Sequence, residues 1–215
     1  MHLIHRQEIW VLTVEGWIVL LASVAALMLF LLTHIYSFLA FNRPIKADVL
    51  VIEGWMKESA IKEAIAEFEK GGYQKLITVG PPISEEYYLV RYNNFAERAA
   101  AVLIALGFDP NKLVAVPTSD VIRNRTYSFA VALRERIMDS DLEVESINLY
   151  TFDVHSRRSW LIFKRVFAPE IEIGTIVLEP LNYEPKSWWT SSAGVKTIIF
   201  ETIAYLYVRF VNWKS

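Results

Sequence analysis

LYTFDVHSRRSWLIFKRVF, residues 149–167, decides the fold. Its first half reads as a short buried strand, and its second half carries apolar residues at helical spacing. At the join sits a polar cluster of Asp153, His155, Arg157 and Arg158. A strand that stops and feeds a helix is where α/β proteins place chemistry, because the segments beyond the carboxyl ends of parallel strands line a crevice.

The same alternation continues on both sides of that stretch. Upstream, 48–53 (DVLVIE) and 75–79 (KLITV) are apolar, β-branched runs that end in Gly54-Trp55 and Gly80-Pro81-Pro82. Residues 112–116 and 146–152 read as two further strands, and 172–178, stopped by Glu179-Pro180, as a fifth. Between them, 59–70, 94–106, 126–138 and 156–167 have helical periodicity, and Gly71-Gly72 and Gly107 close the first two. The second of these predicts Phe95, Ala99, Val102, Leu103 and Leu106 facing inward. Residues 83–92 form a polar and aromatic insertion read as a loop or short helix. Strands alternating with helices predict right-handed crossovers and an α/β, Rossmann-like, mostly parallel sheet of about five strands with helices on both faces.

Ahead of this domain lies a different kind of segment. Residues 16–42 contain no Asp, Glu, Lys or Arg, and as a helix they reach roughly 40 Å, enough to cross a hydrocarbon core of about 30 Å. Trp10 and Trp17 on one side, and Tyr36, Phe38 and Phe41 on the other, are placed like interfacial aromatics. The run exceeds a signal-peptide h-region, and no small-x-small pair closes it, so a retained N-terminal transmembrane helix is expected. The expected division is 1–44 for tail and anchor and 45–215 for the domain. Flanking charges do not orient the span: Arg6, His2 and His5 stand with Glu8 and Glu15 on one side, Arg43 and Lys46 on the other. The tail at 191–213 is apolar but carries Lys196, Glu201 and Arg209, which predicts a helix packed on the domain rather than a second span.

Composition narrows the function classes. Of the 215 residues 53% are hydrophobic, and the net charge is −2 with no basic stripe, so nucleic acid is not an expected partner. There is no cysteine, which removes disulfides, thiolate metal sites and Cys nucleophiles. Three of the four histidines lie in or before the anchor, leaving His155 alone in the domain, so no metal constellation is expected.

In a parallel sheet the segments that follow each strand converge. They bring Glu53-Gly54-Trp55, Gly80-Pro81-Pro82, the turn holding Arg123 and Arg125, Thr126, and 153–158 to one edge, with Glu97 near the start of the second helix facing it. Guanidinium forks and helix N-termini there favour phosphate or carboxylate ligands. His155 is the candidate acid or base and Glu97 its candidate partner; Arg158, Arg123 and Arg125 are the candidate anion holders. Arg157 reads as a solvated helix-face charge. Each of these also has a plain structural reading, as turn residue or exposed helix face. Trp188-Trp189 reads either as a stacking surface for a sugar or the lipid interface, or as cover for a core edge.

Strand DVLVIEG, Glu97 opening a helix that ends at Gly107, NRTYSFA at 124–130 and HSRRS at 155–159 together resemble the SanA/ElyC/YdcF family over roughly 48–178. That resemblance implies an envelope domain, in several members held by an amino-terminal anchor outside the cytoplasmic membrane. It also implies a link to peptidoglycan, carrier-lipid or surface-polysaccharide metabolism. Envelope-synthesis proteins are implied partners, and one cytosolic branch is linked to S-adenosylmethionine. By resemblance, Glu97, Thr126, His155 and Arg158 are the positions to carry over. The chain departs from the family at Gly54-Trp55, Gly80-Pro81-Pro82 and Phe129, which removes backbone N–H donors from the glycine loops. Three functions remain open at this point: a protein acting on a phosphorylated, lipid-linked glycan, a non-catalytic envelope scaffold, or an S-adenosylmethionine or nucleotide binder. No cofactor is specified.

Overall fold

The computed structural model describes residues 10–83, 91–121 and 123–211. The insertion expected at 83–92 falls mostly outside them, as do the charges at the extreme amino terminus used to weigh orientation. The chain divides into two compact units, 1–35 and 36–215. The first holds most of helix α1, Val14–Leu39, a 26-residue helix long enough and apolar enough to cross a membrane. The division precedes Pro44 because the residues after 35 are bonded into the domain: Phe41 N–H donates to Ser156 Oγ at 2.7 Å, and Arg43 pairs with Thr175.

The second unit is built on five parallel strands: β1 (Val49–Glu53), β2 (Lys75–Gly80), β3 (Leu113–Pro117), β4 (Ser146–Phe152) and β5 (Glu172–Leu178), in spatial order β3-β2-β1-β4-β5. Helices α2 (Glu58–Gly71) and α3 (Phe95–Ala105) cover one face; α4 (Arg125–Met138) and α5 (Ser156–Phe167) cover the other, followed by α6 (Ser192–Phe210). Because both faces are covered, β1 is buried at all five positions, and an unbroken apolar run suits it. Leu50, Ile52 and Leu76 point toward Ile61, Ala64, Phe68 and Leu103 of α2 and α3. Val49, Val51, Ile77 and Val79 point the other way, toward Phe129 and Leu133 of α4 and Ile162 and Phe163 of α5. Period-two strands thus feed two separate apolar layers.

Local signals set the helix limits. α2 stops at Gly72, which takes the left-handed conformation at φ 69°. α3 starts where the Asn94 side chain accepts the Glu97 N–H at 2.8 Å. Its inner face is Ala96, Ala99, Ala100 and Leu103; Leu106, expected inward, is 46% exposed because it lies past the last turn.

The strand order reverses between β1 and β4: β1 leads to β2 and β3 on one side, and β4 leads to β5 on the other. A crevice opens beyond the carboxyl ends at such a switch point, since adjacent connections leave to opposite faces.

Candidate functional site

Glu53 is the last residue of β1, and His155 follows β4 after one short turn, so the switch point brings them face to face. His155 Nε2 lies 3.4 Å from Glu53 Oε1, which also accepts from Ser159 Oγ at 3.4 Å. On the other side of the ring, Nδ1 lies 3.2 Å from Oε1 of Glu201 in α6. Arg158, one turn along α5, grips the same carboxylate with Nε on Oε2 and Nη2 on Oε1, both at 2.9 Å. That two-pronged contact fixes the orientation of both groups. Its Nη1 reaches Thr126 Oγ1 in the first turn of α4 at 3.5 Å.

The four groups are electrically coupled. Burial pulls His155 toward the neutral form, but the charge of Glu53 and the bonds to Glu201 and Glu53 outweigh it and raise its pKa to about 9. Burial pushes Glu201 up, yet the bonds and charges of His155 and Arg158 prevail and lower it to about 2. The raised pKa favours the protonated ring, with Nε2 toward Glu53 and Nδ1 toward Glu201. Arg158 Nη2 lies 2.8 Å from Nδ1; a guanidinium only donates, so this contact is a hydrogen bond in the neutral ring with its proton on Nε2 and a repulsion in the charged ring. The two carboxylates and the guanidinium pull the ring in opposite senses, which leaves His155 placed to give or to take a proton.

Asp153 occupies the tightest point of the join. Its φ of 53° lies in the left-handed region, which Asp tolerates better than most residues. The side chain is buried; Oδ2 accepts from the hydroxyl of Tyr183, while Oδ1 has no partner among the described residues. Burial raises the carboxyl pKa, with the Tyr183, Val154 and Tyr36 donors opposing and the Glu201 charge adding to the rise. Glu53 Oε2 is likewise buried without a partner.

Above these groups lies a cavity of about 1070 Å³. Its polar lining includes His155, Arg158, Asp153 and Thr126, with Arg123 and Arg125 exposed at the margin and without an ion pair among the described residues. Its apolar lining comes from Trp55, Phe95 and Phe129 and from one side of α6: Phe200, Ile203 and Tyr207.

Three expectations change. Glu97, read as the partner of His155, does not line this cavity, and the carboxylates on the ring are Glu53 and Glu201. α3 starts with its Asn94 cap at the strand ends, which leaves Glu97 on the first turn, half-buried and outside the cavity lining. Gly54 and Gly80, expected to approach a ligand, instead let that first turn approach. A Cβ on Gly54 would stand 2.3 Å from the Phe95 carbonyl oxygen, and one on Gly80 2.8 Å from the Ala96 nitrogen. Arg157 is not a free surface charge: it donates to the Phe38 carbonyl and stacks on the Phe38 and Phe41 rings at 4.0 and 4.5 Å.

Glu201 is the residue that sequence reasoning missed. In the sequence it stands only as a charge that argues against a second span. The one signal available was a lone acid in an apolar helix, which needs a buried cation.

No family model and no curated protein matches the chain. Among solved structures, a bifunctional NMN adenylyltransferase/ADP ribose pyrophosphatase from Francisella tularensis is similar at 16% identity with a TM-score of 0.39, over 67% of this chain. The matched region spans 41% of that enzyme's length.

Proposed function

We propose that this chain is a membrane-anchored envelope protein that binds, and acts on, a phosphorylated or lipid-linked glycan intermediate of peptidoglycan or surface-polysaccharide metabolism. The observation that carries the reading is the two-sided lining of the strand-end cavity. One side offers the Arg158 and His155 cations, with Arg123 and Arg125 at the margin; the other is a wall of aromatic and aliphatic side chains from α6. That combination suits an amphiphile with an anionic head. Trp55, 41% exposed at the mouth, offers an apolar face for a sugar ring.

Further support comes from where the apolar helix ends. Leu39, its last residue, receives a hydrogen bond from Ser156 Oγ at 3.1 Å, one residue from His155. A substrate held by a lipid tail is delivered at such a place. The envelope setting and a domain on the outer side of the cytoplasmic membrane follow from the family resemblance.

In this reading Arg158 and the marginal arginines hold the phosphate, and the His155 imidazolium donates a hydrogen bond or a proton to an oxygen of the head group. Full-length protein in nanodiscs is titrated with a polyprenyl phosphate and with the matching neutral polyprenol, following tryptophan fluorescence. The phosphate binds at least about tenfold tighter, and Arg158→Ala removes most of that difference. Equal affinity for both lipids, or a carboxyl-terminal topology reporter on the cytoplasmic side, overturns the proposal.

A further inference from the structure

A helix on the surface of a water-soluble domain turns charged and polar residues outward. α6 does the reverse. Ile199, Leu206 and Phe210 are 49%, 46% and 75% exposed, fall on one stripe and lie outside the cavity lining, while the neighbouring Phe200, Ile203 and Tyr207 border the cavity. The opposite face, with Ile198 and Val208, is buried on the domain, and its acid, Glu201, is turned inward onto His155 and Arg158. The outward face of this helix is therefore apolar and, among the described residues, without a cover.

The surroundings of α6 say what covers it. Phe38, in the last turn of the apolar helix α1, meets Tyr205 of α6 edge-on with ring centroids 5.4 Å apart. Arg157 holds the Phe38 carbonyl from the neighbouring helix. α6 is thus packed against the residues on which the span ends, and the bilayer is the apolar phase nearest to hand. Charges sit toward the two ends of the helix, at exposed Lys196 and Arg209, where they meet headgroup phosphates. Trp189, 42% exposed just ahead of the helix, is an interfacial residue type.

We propose that α6 lies in the plane of the membrane interface, its outward stripe sunk roughly 5–10 Å into the headgroup and acyl boundary. The partner is the lipid surface itself. This rests on α1 being a span and does not depend on what the cavity binds. Because α6 also carries Glu201, seating the helix on lipid holds one wall of the cavity in place.

The chain has no cysteine, so single labels can be placed without background. Ile199→Cys, Leu206→Cys and Phe210→Cys lie outside the cavity lining, and Lys62→Cys on α2 serves as control. Each full-length variant, checked for native circular dichroism, carries an environment-sensitive fluorophore in vesicles of phosphatidylcholine and phosphatidylglycerol containing brominated lipid. The three α6 labels shift to shorter wavelength and are quenched by bromine about threefold more than the control. Bromine quenching equal to the control, with iodide quenching all four from water, overturns the proposal. So does protection that accompanies cross-links between copies without bromine quenching, which assigns the stripe to a second molecule. A chain that fails to float with the vesicles removes the span and the inference with it.

Discussion

Glu201, late in the chain, holds Arg158 with both carboxylate oxygens at 2.9 Å, and the same carboxylate faces Nδ1 of His155. The carboxyl-terminal helix thereby completes a neutral quartet with Glu53. Removing one member leaves the others uncompensated in a buried place, which costs more than the pair itself contributes.

Glu201→Gln keeps the shape and removes the charge. His155 then faces Arg158 with one carboxylate fewer, so its pKa falls by at least about one unit. Proton NMR of the ring, titrated in micelles, reads this directly. Stability falls by about 2 kcal/mol, read from thermal or denaturant unfolding. An unmoved ring pKa would show that Glu53 alone sets it.

Acid and alkali both weaken the fold through this quartet. His155, raised from 6.5 to about 9, contributes stability that is whole below pH 6.5 and is lost as pH rises through 9. Glu201, lowered from 4.5 to about 2, contributes stability that is whole above pH 4.5 and is lost as pH falls toward 2. The contribution is complete between about 4.5 and 6.5. Asp153, shifted upward, acts oppositely to Glu201 and takes stability away as pH rises past 3.8, the ordinary value of an aspartate. Subtracting the Glu201→Gln unfolding profile from that of the wild type isolates the quartet.

Gly54→Ala and Gly80→Ala test whether these glycines serve packing. The new methyl at 54 meets a carbonyl oxygen at 2.3 Å and the one at 80 an amide nitrogen at 2.8 Å. Both variants lose about 2–3 kcal/mol, the first more than the second. Chemical denaturation measures it; unchanged stability would return these glycines to a ligand-facing role.

Arg123→Ala and Arg125→Ala remove exposed charges, so stability stays within about 0.5 kcal/mol of wild type. Affinity for a phosphorylated lipid drops several-fold in each and loses part of its salt dependence. The nanodisc titration repeated at two salt concentrations checks both statements.

Ser156→Ala breaks the join between the end of α1 and α5. Its hydroxyl accepts from Phe41 N–H at 2.7 Å and donates to the Leu39 carbonyl at 3.1 Å, both largely away from water. Phe41 N–H and the Leu39 carbonyl also bond each other at 2.9 Å, so neither is left unpaired and the loss is about 1 kcal/mol. Unfolding shows the loss, and hydrogen exchange at Phe41 quickens.

The fold was legible because its signals are local. The strand at 146–152, the helix at 156–167 and the strand at 172–178 coincide with β4, α5 and β5, each bounded by a change of hydrophobic period. The cavity was legible in part, since parallel strands bring their following segments together whatever the residues are. Its charge balance was not. Glu201 reaches His155 only through the packing of α6, and no period in the sequence encodes which face of a helix apolar on nearly all sides turns inward. Arg157 shows the same limit: a basic residue on a helix reads as solvated until the Phe38 carbonyl is found beneath it.

Arg43 gives its N–H to the Thr175 carbonyl and takes the Thr175 N–H, each at 2.9 Å, while Asn42 Oδ1 accepts from Val177. The segment leaving α1 therefore occupies the outer rim of β5 at its centre. A sheet rim left bare is a template on which another polypeptide adds a strand and aggregation begins. Here the connector is also the guard: a foreign strand would have to peel away the segment leading from α1 before it found a place on β5.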